Sequence, residues 1–325
     1  MTMSTDVTVQ VRTAFLFPGQ GSQSVGMGAD LFRDEPAARA LFQAASESAG
    51  CDLAAMCFKG PFEALSRTRV LQPAITVVNL ACRAWLESHG VIPDATAGHS
   101  LGELSALACA GCVSDAEAIG LAAVRGQAMD DAALATPGTM IAVVGLAAAD
   151  VIAQTRELLA VQDGGVANLN GPDQVVLSGT IAAMDMAVAH FEAQGARCVP
   201  LAVSGAWHSE AMAPAEAPFT AALDLLRIST PAKRLYLNVT GTPSDDPAAI
   251  RQALVSQLRN PVRWVDIIEG LKADGVTRFV EVGPGKVLRG TLRRIWPDAD
   301  AYQVHSVCDV ASMRRLADSW TTSTP

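Results

Sequence analysis

The chain has 325 residues, half of them apolar, with 33 acidic against 24 basic side chains and a formal net charge of −9. That length allows one large domain or two ordinary ones around a sizeable core. The acidic balance argues against a nucleic-acid binder, which needs a basic footprint, while an acidic protein partner could still meet a local basic patch.

The opening MTMSTDVTVQVR lacks the basic start and apolar h-region of a secretory signal. No uncharged apolar run approaches the ~18 residues of a membrane span, so a soluble, cytoplasmic protein is expected. Residues 9–17 are apolar, alternating and rich in β-branched side chains, which predicts a buried strand ending at Pro18-Gly19-Gln20-Gly21. Helices are expected over 36–49 and 72–89, the second closed by Gly90. A strand over 94–98 runs through His99-Ser100-Leu101-Gly102 into a helix reaching about residue 110. Cys109 and Cys112 form a C-x-x-C in the apolar stretch 104–113. There is no second ligand pair, and seven cysteines without a signal do not read as a disulfide framework. Buried core thiols are expected instead. Ser114 or Asp115 caps a helix over 115–129.

Beyond Thr136-Pro137-Gly138 the pattern changes: strand 139–145, helix 148–159, strands 165–169 and 174–178 around Asn170-Gly171-Pro172-Asp173, helix 181–194 and strand 197–203. This β-α-β-β-α-β order is the ferredoxin-like pattern, and its length suits a small inserted subdomain over 136–203. The first pattern then returns, with helix 209–226, strand 235–239, helices 247–258 and 262–274, strand 278–282 and helix 287–295. A polar tail from Met313 is expected to fray. Strands alternating with helices predict a mainly parallel α/β sheet, placed in a discontinuous large subdomain of residues 1–135 and 204–325.

Gly98-His99-Ser100-Leu101-Gly102 matches G-x-S-x-G, in which a sharp strand-to-helix turn exposes the serine and the helix N-terminus offers N–H groups to an oxyanion. A serine nucleophile needs a base, and the chain has five histidines. His89 reads as a helix cap and His190 as structural. His99 adjoins the serine and should point away from it. His208 and His305 both remain, and spacing alone does not choose between them. Two glycine-rich loops fail as nucleotide sites: Ser24 breaks the dinucleotide pattern after Gly19 and Gly21, and Val280 and Val287 break the P-loop around Gly285-Lys286. Tight strand-to-helix turns are expected there. Arg125 sits among Ala122, Ala123, Val124 and Gly126. It either pairs with Asp130, Asp131 or Glu103, or clamps a substrate carboxylate, which guanidinium geometry suits.

Taken in order, these segments resemble the malonyl-CoA:acyl carrier protein transacylase family, which includes the acyltransferase domains of polyketide synthases. The resemblance runs from about Thr13 to Ile295. It rests on Phe17-Pro18-Gly19-Gln20-Gly21-Ser22-Gln23, Gln72-Pro73-Ala74, Gly98 to Glu103, Arg125-Gly126, Val166-Ala167-Asn168, Gln174 to Gly179 and Gly205-Ala206-Trp207-His208-Ser209. Asn238-Val239-Thr240, Gln257-Leu258, Pro261 to Trp264 and Glu281 to Gly285 follow.

The resemblance implies an α/β-hydrolase-like large subdomain with a ferredoxin-like insert. It implies Ser100 as nucleophile and His208, rather than His305, as general base, oriented by the backbone carbonyl of Gln257. It further implies an oxyanion hole from the N–H groups of Gln20 and Leu101, Arg125 as carboxylate clamp, and Gln72, His99, Asn168 and Trp207 as substrate contacts. No metal or other cofactor is implied beyond the coenzyme A thioester substrate. The partners would be malonyl-CoA and an acidic acyl carrier protein, the state a monomer, and the kinetics ping-pong. Lys286, Arg289, Arg293 and Arg294 recur along one helix and form a candidate docking face, with a merely solvated helix as the alternative. Trp207 stands where malonyl-specific members carry Phe, and its bulk should favour malonyl over methylmalonyl. Three rival readings remain: an editing hydrolase of carrier-bound acyl groups, the transacylase subunit of a malonate decarboxylase, and a silent carrier-binding scaffold.

Overall fold

The computed structural model describes residues 12–159 and 164–321. Residues 9–11 of the first expected strand lie outside the described residues. Five parallel strands form one sheet: β1 (Arg12–Phe17), β2 (Ala95–Gly98), β7 (Arg234–Leu235), β8 (Val276–Val282) and β9 (Gln303–Val307), in the order β7-β2-β1-β8-β9. Both faces are covered. Phe15, Phe17, Val280 and Val282 enter one core, while Ala14, Leu16 and Phe279 enter the other. Burial on both faces is why β1 reads as an almost unbroken apolar run.

A second, antiparallel sheet holds β3 (Thr139–Val144), β4 (Gly164–Gly171), β5 (Gln174–Gly179) and β6 (Arg197–Pro200) in the order β4-β5-β3-β6. Helices Ala148–Leu158 and Ile181–Glu192 connect its strands and share its core. β4 seats this sheet on the first unit: Leu169 N–H donates to the Val262 carbonyl and Val262 N–H to the Ala167 carbonyl, each at 2.9 Å.

Several elements differ from expectation. The helix through Gln72 spans Thr68–Ser88 and carries Pro73 inside it, and the helix capped by Ser114 runs on to Ala135. Ser114 and Glu117 make a capping box, which fixes that helix start. Of residues 235–239 only Leu235 is strand, as the end of Arg234–Leu235, and 209–226 divides into a 3-10 turn, Glu210–Met212, and the helix Ala213–Asp224. Of the expected polar tail, residues 313–321 belong to the helix Val310–Thr321, with Met313 and Leu316 buried in the core beside β9, and the rest lies outside the described residues. The polar residues of that amphipathic helix form its wet face. Helices Ala29–Asp34, Leu53–Lys59 and Phe62–Leu65 were likewise not expected. Cys109 and Cys112 are buried, unpaired thiols, pushed up by desolvation to about 12 and about 11. Among the described residues no helix is long and apolar enough to cross a membrane.

Candidate active site

The serine turn is built by close approach of backbone. A Cβ on Gly98 would lie 2.0 Å from the carbonyl of Gly102, and one on Gly102 would lie 2.0 Å from the carbonyl oxygen of Phe17. Only glycine fits either position, so strand and helix meet with Ser100 forced outward at φ 51°. A non-glycine residue held there costs about 1–3 kcal/mol and needs surrounding structure to fix it. Ser100 N–H donates to Asn238 Oδ1 at 2.7 Å, and Gln257 Nε2 donates to the Ser100 carbonyl at 2.9 Å. Asn238 Nδ2 also holds the Gly98 carbonyl at 2.7 Å.

His208, in the loop after β6, brings Nε2 to 2.7 Å from Ser100 Oγ. Its Nδ1 lies 2.8 Å from the backbone carbonyl of Gln257, which fixes the tautomer with Nε2 free to accept. Burial, with the Arg125 charge adding to it, holds His208 down to about 3, so the ring is neutral and able to take the serine proton. His305 lies on β9, paired with Val280, and lines a separate cavity.

Arg125 is 2% exposed. Nη1 donates to Gln72 Oε1 at 2.9 Å, and Nη2 to Gln257 Oε1 at 2.8 Å and to Ser100 Oγ at 3.3 Å. Neither Asp130 nor Asp131 pairs with it, because both bind Arg69. Burial lowers the guanidinium to about 10, leaving it charged at neutral pH. Its donors are met by two neutral amide oxygens and the serine hydroxyl, which a carboxylate would outbid as an acceptor.

These groups open into a cavity of about 460 Å³ that also takes in Gln20, Leu101, Met129, Asn168 and Trp207. His99 lines it as well, with Nε2 2.8 Å from Asn170 Oδ1 and its ring edge-on to Trp264. Among the described residues neither the Gln20 nor the Leu101 backbone N–H has an internal hydrogen-bond partner. A larger cavity of about 900 Å³ touches the other side of His208. It contains neither Ser100 nor Arg125, so the chemistry belongs to the smaller one.

The profile of the acyl transferase domain family matches residues 14–318. The chain belongs to the acyl transferase family. It is 40% identical over 287 residues to the malonyl CoA-acyl carrier protein transacylase of Bacillus subtilis strain 168, covering 87% of this chain and 90% of that one. The crystal structure of malonyl-CoA:acyl carrier protein transacylase (FabD) from Xanthomonas oryzae is 40% identical and superposes with a TM-score of 0.89, over 96% of this chain and 99% of that one. A malonyl-transacylase (PlMCAT) in complex with a type II polyketide acyl carrier protein (AntF) is 37% identical, with a TM-score of 0.88 over 95% and 99% of the two chains.

In this acyl transferase the candidate docking residues do not act alike. Lys286 and Arg293 are exposed and Arg289 is half-buried. Arg294 also pairs with Asp173 at 2.9 Å, tying the helix Val287–Ile295 to the turn between β4 and β5. From sequence, Asn170, Asn238 and the side chain of Gln257 had no role in the site, and Glu103 had only that of a partner for Arg125, whose hydrogen bonds go instead to Gln72, Gln257 and Ser100. Buried polar residues in otherwise apolar runs are the signal that could have found them, since such groups need partners.

Proposed function

We infer that this protein transfers a malonyl group from malonyl-CoA to the phosphopantetheine thiol of an acyl carrier protein through an acyl-Ser100 intermediate. The observation that carries this reading is the placing of a buried, charged Arg125 in the same cavity as the Ser100–His208 pair, 3.3 Å from the nucleophilic oxygen.

His208 Nε2 takes the hydroxyl proton as Ser100 Oγ attacks the thioester carbonyl. The N–H groups of Gln20 and Leu101 receive the oxyanion. As the tetrahedral intermediate collapses, the C–S bond breaks and His208 returns the proton to the coenzyme A sulfur. Malonyl-Ser100 remains, its free carboxylate on Arg125. The carrier thiol then gives its proton to His208 and attacks the ester carbonyl; as the C–O bond breaks, His208 returns that proton to Ser100 Oγ. The Gln257 carbonyl keeps His208 Nδ1 protonated throughout. Gln72, His99, Asn168 and Trp207 shape the acyl pocket, and the bulk of Trp207 favours malonyl over methylmalonyl. The reaction calls for no metal or redox cofactor. An editing hydrolase of monocarboxylic acyl groups would have no use for the buried Arg125.

The parallel-sheet unit, 1–135 with 204–325, is read as an α/β-hydrolase-like catalytic subdomain, and 136–203 as a ferredoxin-like insert. A cytoplasmic monomer fits the acidic chain. Arg289 and Arg293, four residues apart, share one side of the helix Val287–Ile295, and Lys286 precedes it as the N-cap residue. Val287, Leu288 and Thr291 line the cavity from the other side of the same helix, which leaves Lys286, next to Val287, as the end of the basic run nearest the cavity. Initial rates with both substrates varied test the reading: parallel double-reciprocal lines support an acyl-enzyme, whereas intersecting lines would require direct transfer between two bound substrates.

A further inference from the structure

Glu103 is a carboxylate sealed inside the site, 1% exposed, in the first turn of the helix Gly102–Cys109. Its two oxygens hold two different things. Oε1 accepts the backbone N–H of Asn238 at 2.7 Å, and the Asn238 side chain straps the serine turn through Ser100 N–H and the Gly98 carbonyl. Oε2 accepts from Gln257 Nε2. That amide also donates to the Ser100 carbonyl, its oxygen takes Arg125 Nη2, and the backbone carbonyl of the same residue holds His208.

We propose that Glu103 is a positioning residue for the acyl transfer, a single buried carboxylate that keeps nucleophile, base and carboxylate clamp in register. An ionised carboxylate can only accept hydrogen bonds. Facing it, Gln257 must turn its NH2 inward and its oxygen toward Arg125. The opposite rotamer would set NH2 against guanidinium, donor to donor, and would push Arg125 off the line that a malonyl carboxylate needs. Glu103 thus acts on the clamp through Gln257 and on the serine turn through Asn238, without touching substrate. Burial pushes its carboxyl up to about 7, opposed by the N–H groups of Asn238 and Gln257 and by the charge of Arg125 on the neighbouring helix. His208 stays neutral and is joined to Glu103 through Gln257 and, by way of Ser100, through Asn238. The accept-only state is therefore lost as the medium turns mildly acidic.

The inference rests on malonyl transfer as the reaction. Its test is Glu103→Gln, equal in size, in which one oxygen and one NH2 replace two acceptors. The variant can satisfy Asn238 N–H or Gln257 Nε2, not both. Acylation of Ser100 by malonyl-CoA and by acetyl-CoA is measured by rapid quench, for wild type and variant, between about pH 5.5 and 8.5. In the wild type the malonyl-over-acetyl preference should fall as pH drops through the region of 7. In Glu103→Gln it should be lower by about 10- to 100-fold, the scale of a disturbed charged hydrogen bond, and flat with pH. A purely structural role would lower both acyl donors alike and leave the pH profile in place, and a variant with the wild-type preference and profile overturns the proposal. Should Glu103→Gln not fold, Gln257→Met removes the amide that links Glu103 to Arg125 and holds the Ser100 carbonyl, while keeping the backbone carbonyl on His208. The same loss of preference is expected, and its retention overturns the proposal. A wild type that forms no malonyl adduct would instead remove the transfer reading itself.

Discussion

Ser100 and His208, whose side chains meet at 2.7 Å, are also the two non-glycine residues with left-handed φ among the described residues, at 51° and 60°. Strained backbone persists where the surroundings over-determine it, and here the reacting pair carries the strain. Asn238 and Gln257 fix the serine from its N–H and its carbonyl. Gln257 fixes the histidine as well. Removing the histidine leaves the serine in place but without its base. His208→Ala should slow acylation by malonyl-CoA about a thousandfold or more while circular dichroism stays unchanged. Near-normal acylation would put the base elsewhere.

Arg125 decides which acyl group is accepted. Arg125→Ala should reduce malonyl transfer by about 10- to 100-fold through loss of a charge-assisted, forked hydrogen bond, with acetyl-CoA acylation spared or improved. Arg125→Lys should recover little, since a point charge cannot reproduce the planar fork that Gln72 and Gln257 now occupy. Equal losses with both donors would contradict the clamp. Discrimination ratios from competing labelled donors give the answer.

Trp207 fits only because residue 205 has no side chain. A Cβ at Gly205 would sit 2.6 Å from the Trp207 ring carbons and 2.7 Å from Ala133 Cβ. Gly205→Ala should cost about 1–3 kcal/mol by overpacking, and adding Trp207→Phe should return part of it. Trp207 Nε1 is buried without a hydrogen-bond partner among the described residues, so Trp207→Phe alone forfeits no internal hydrogen bond. It should also raise methylmalonyl acylation relative to malonyl by widening the pocket. Thermal unfolding and donor competition read out the two effects.

Stability should depend on pH through His208. Its folded value lies near 3 against the ordinary 6.5, through burial first and Arg125 second. Between those values the unfolded chain binds a proton that the folded chain refuses, so stability rises with pH across that window and is lost as pH falls. The unfolding free energy of wild type relative to His208→Gln should therefore move against wild type from about pH 7 down to about pH 4. A difference constant with pH would contradict the buried, neutral ring.

On the docking helix, charge reversal at Lys286 and Arg293 should raise KM for the carrier protein and leave self-acylation by malonyl-CoA unchanged. Arg294→Ala breaks the partly exposed bridge to Asp173 and should lower stability by no more than about 1 kcal/mol, with little effect on carrier KM. Equal effects on both half-reactions would remove the docking role.

How legible this was in the sequence depended on what each residue does. The serine turn was readable because its glycines are dictated by backbone contact at fixed spacing, and the order of strands and helices followed from hydrophobic period. The choice between His208 and His305 was not, because sequence carries no distance, and the resemblance had to make it. Arg125 stood out as a cation on a small apolar face, but its freedom from Asp130 and Asp131 depended on Arg69 taking both. Arg294 looked like its neighbours until the antiparallel sheet brought Asp173 to it. β9 and the last helix were missed because charged and hydroxyl side chains interrupt them, although Val310, Met313, Leu316 and Trp320 keep helical spacing. Glu103 and the Gln257 side chain act through contacts 154 positions apart in the chain, beyond the reach of any local pattern.

The central claim, a malonyl group carried on Ser100, is tested most directly by intact-protein mass spectrometry after mixing with malonyl-CoA, with and without holo acyl carrier protein. The account predicts one malonyl adduct on the wild type, none on Ser100→Ala, and its transfer to the carrier when that is added. An adduct that persists in Ser100→Ala, or one released to water and never passed to the carrier, would contradict it.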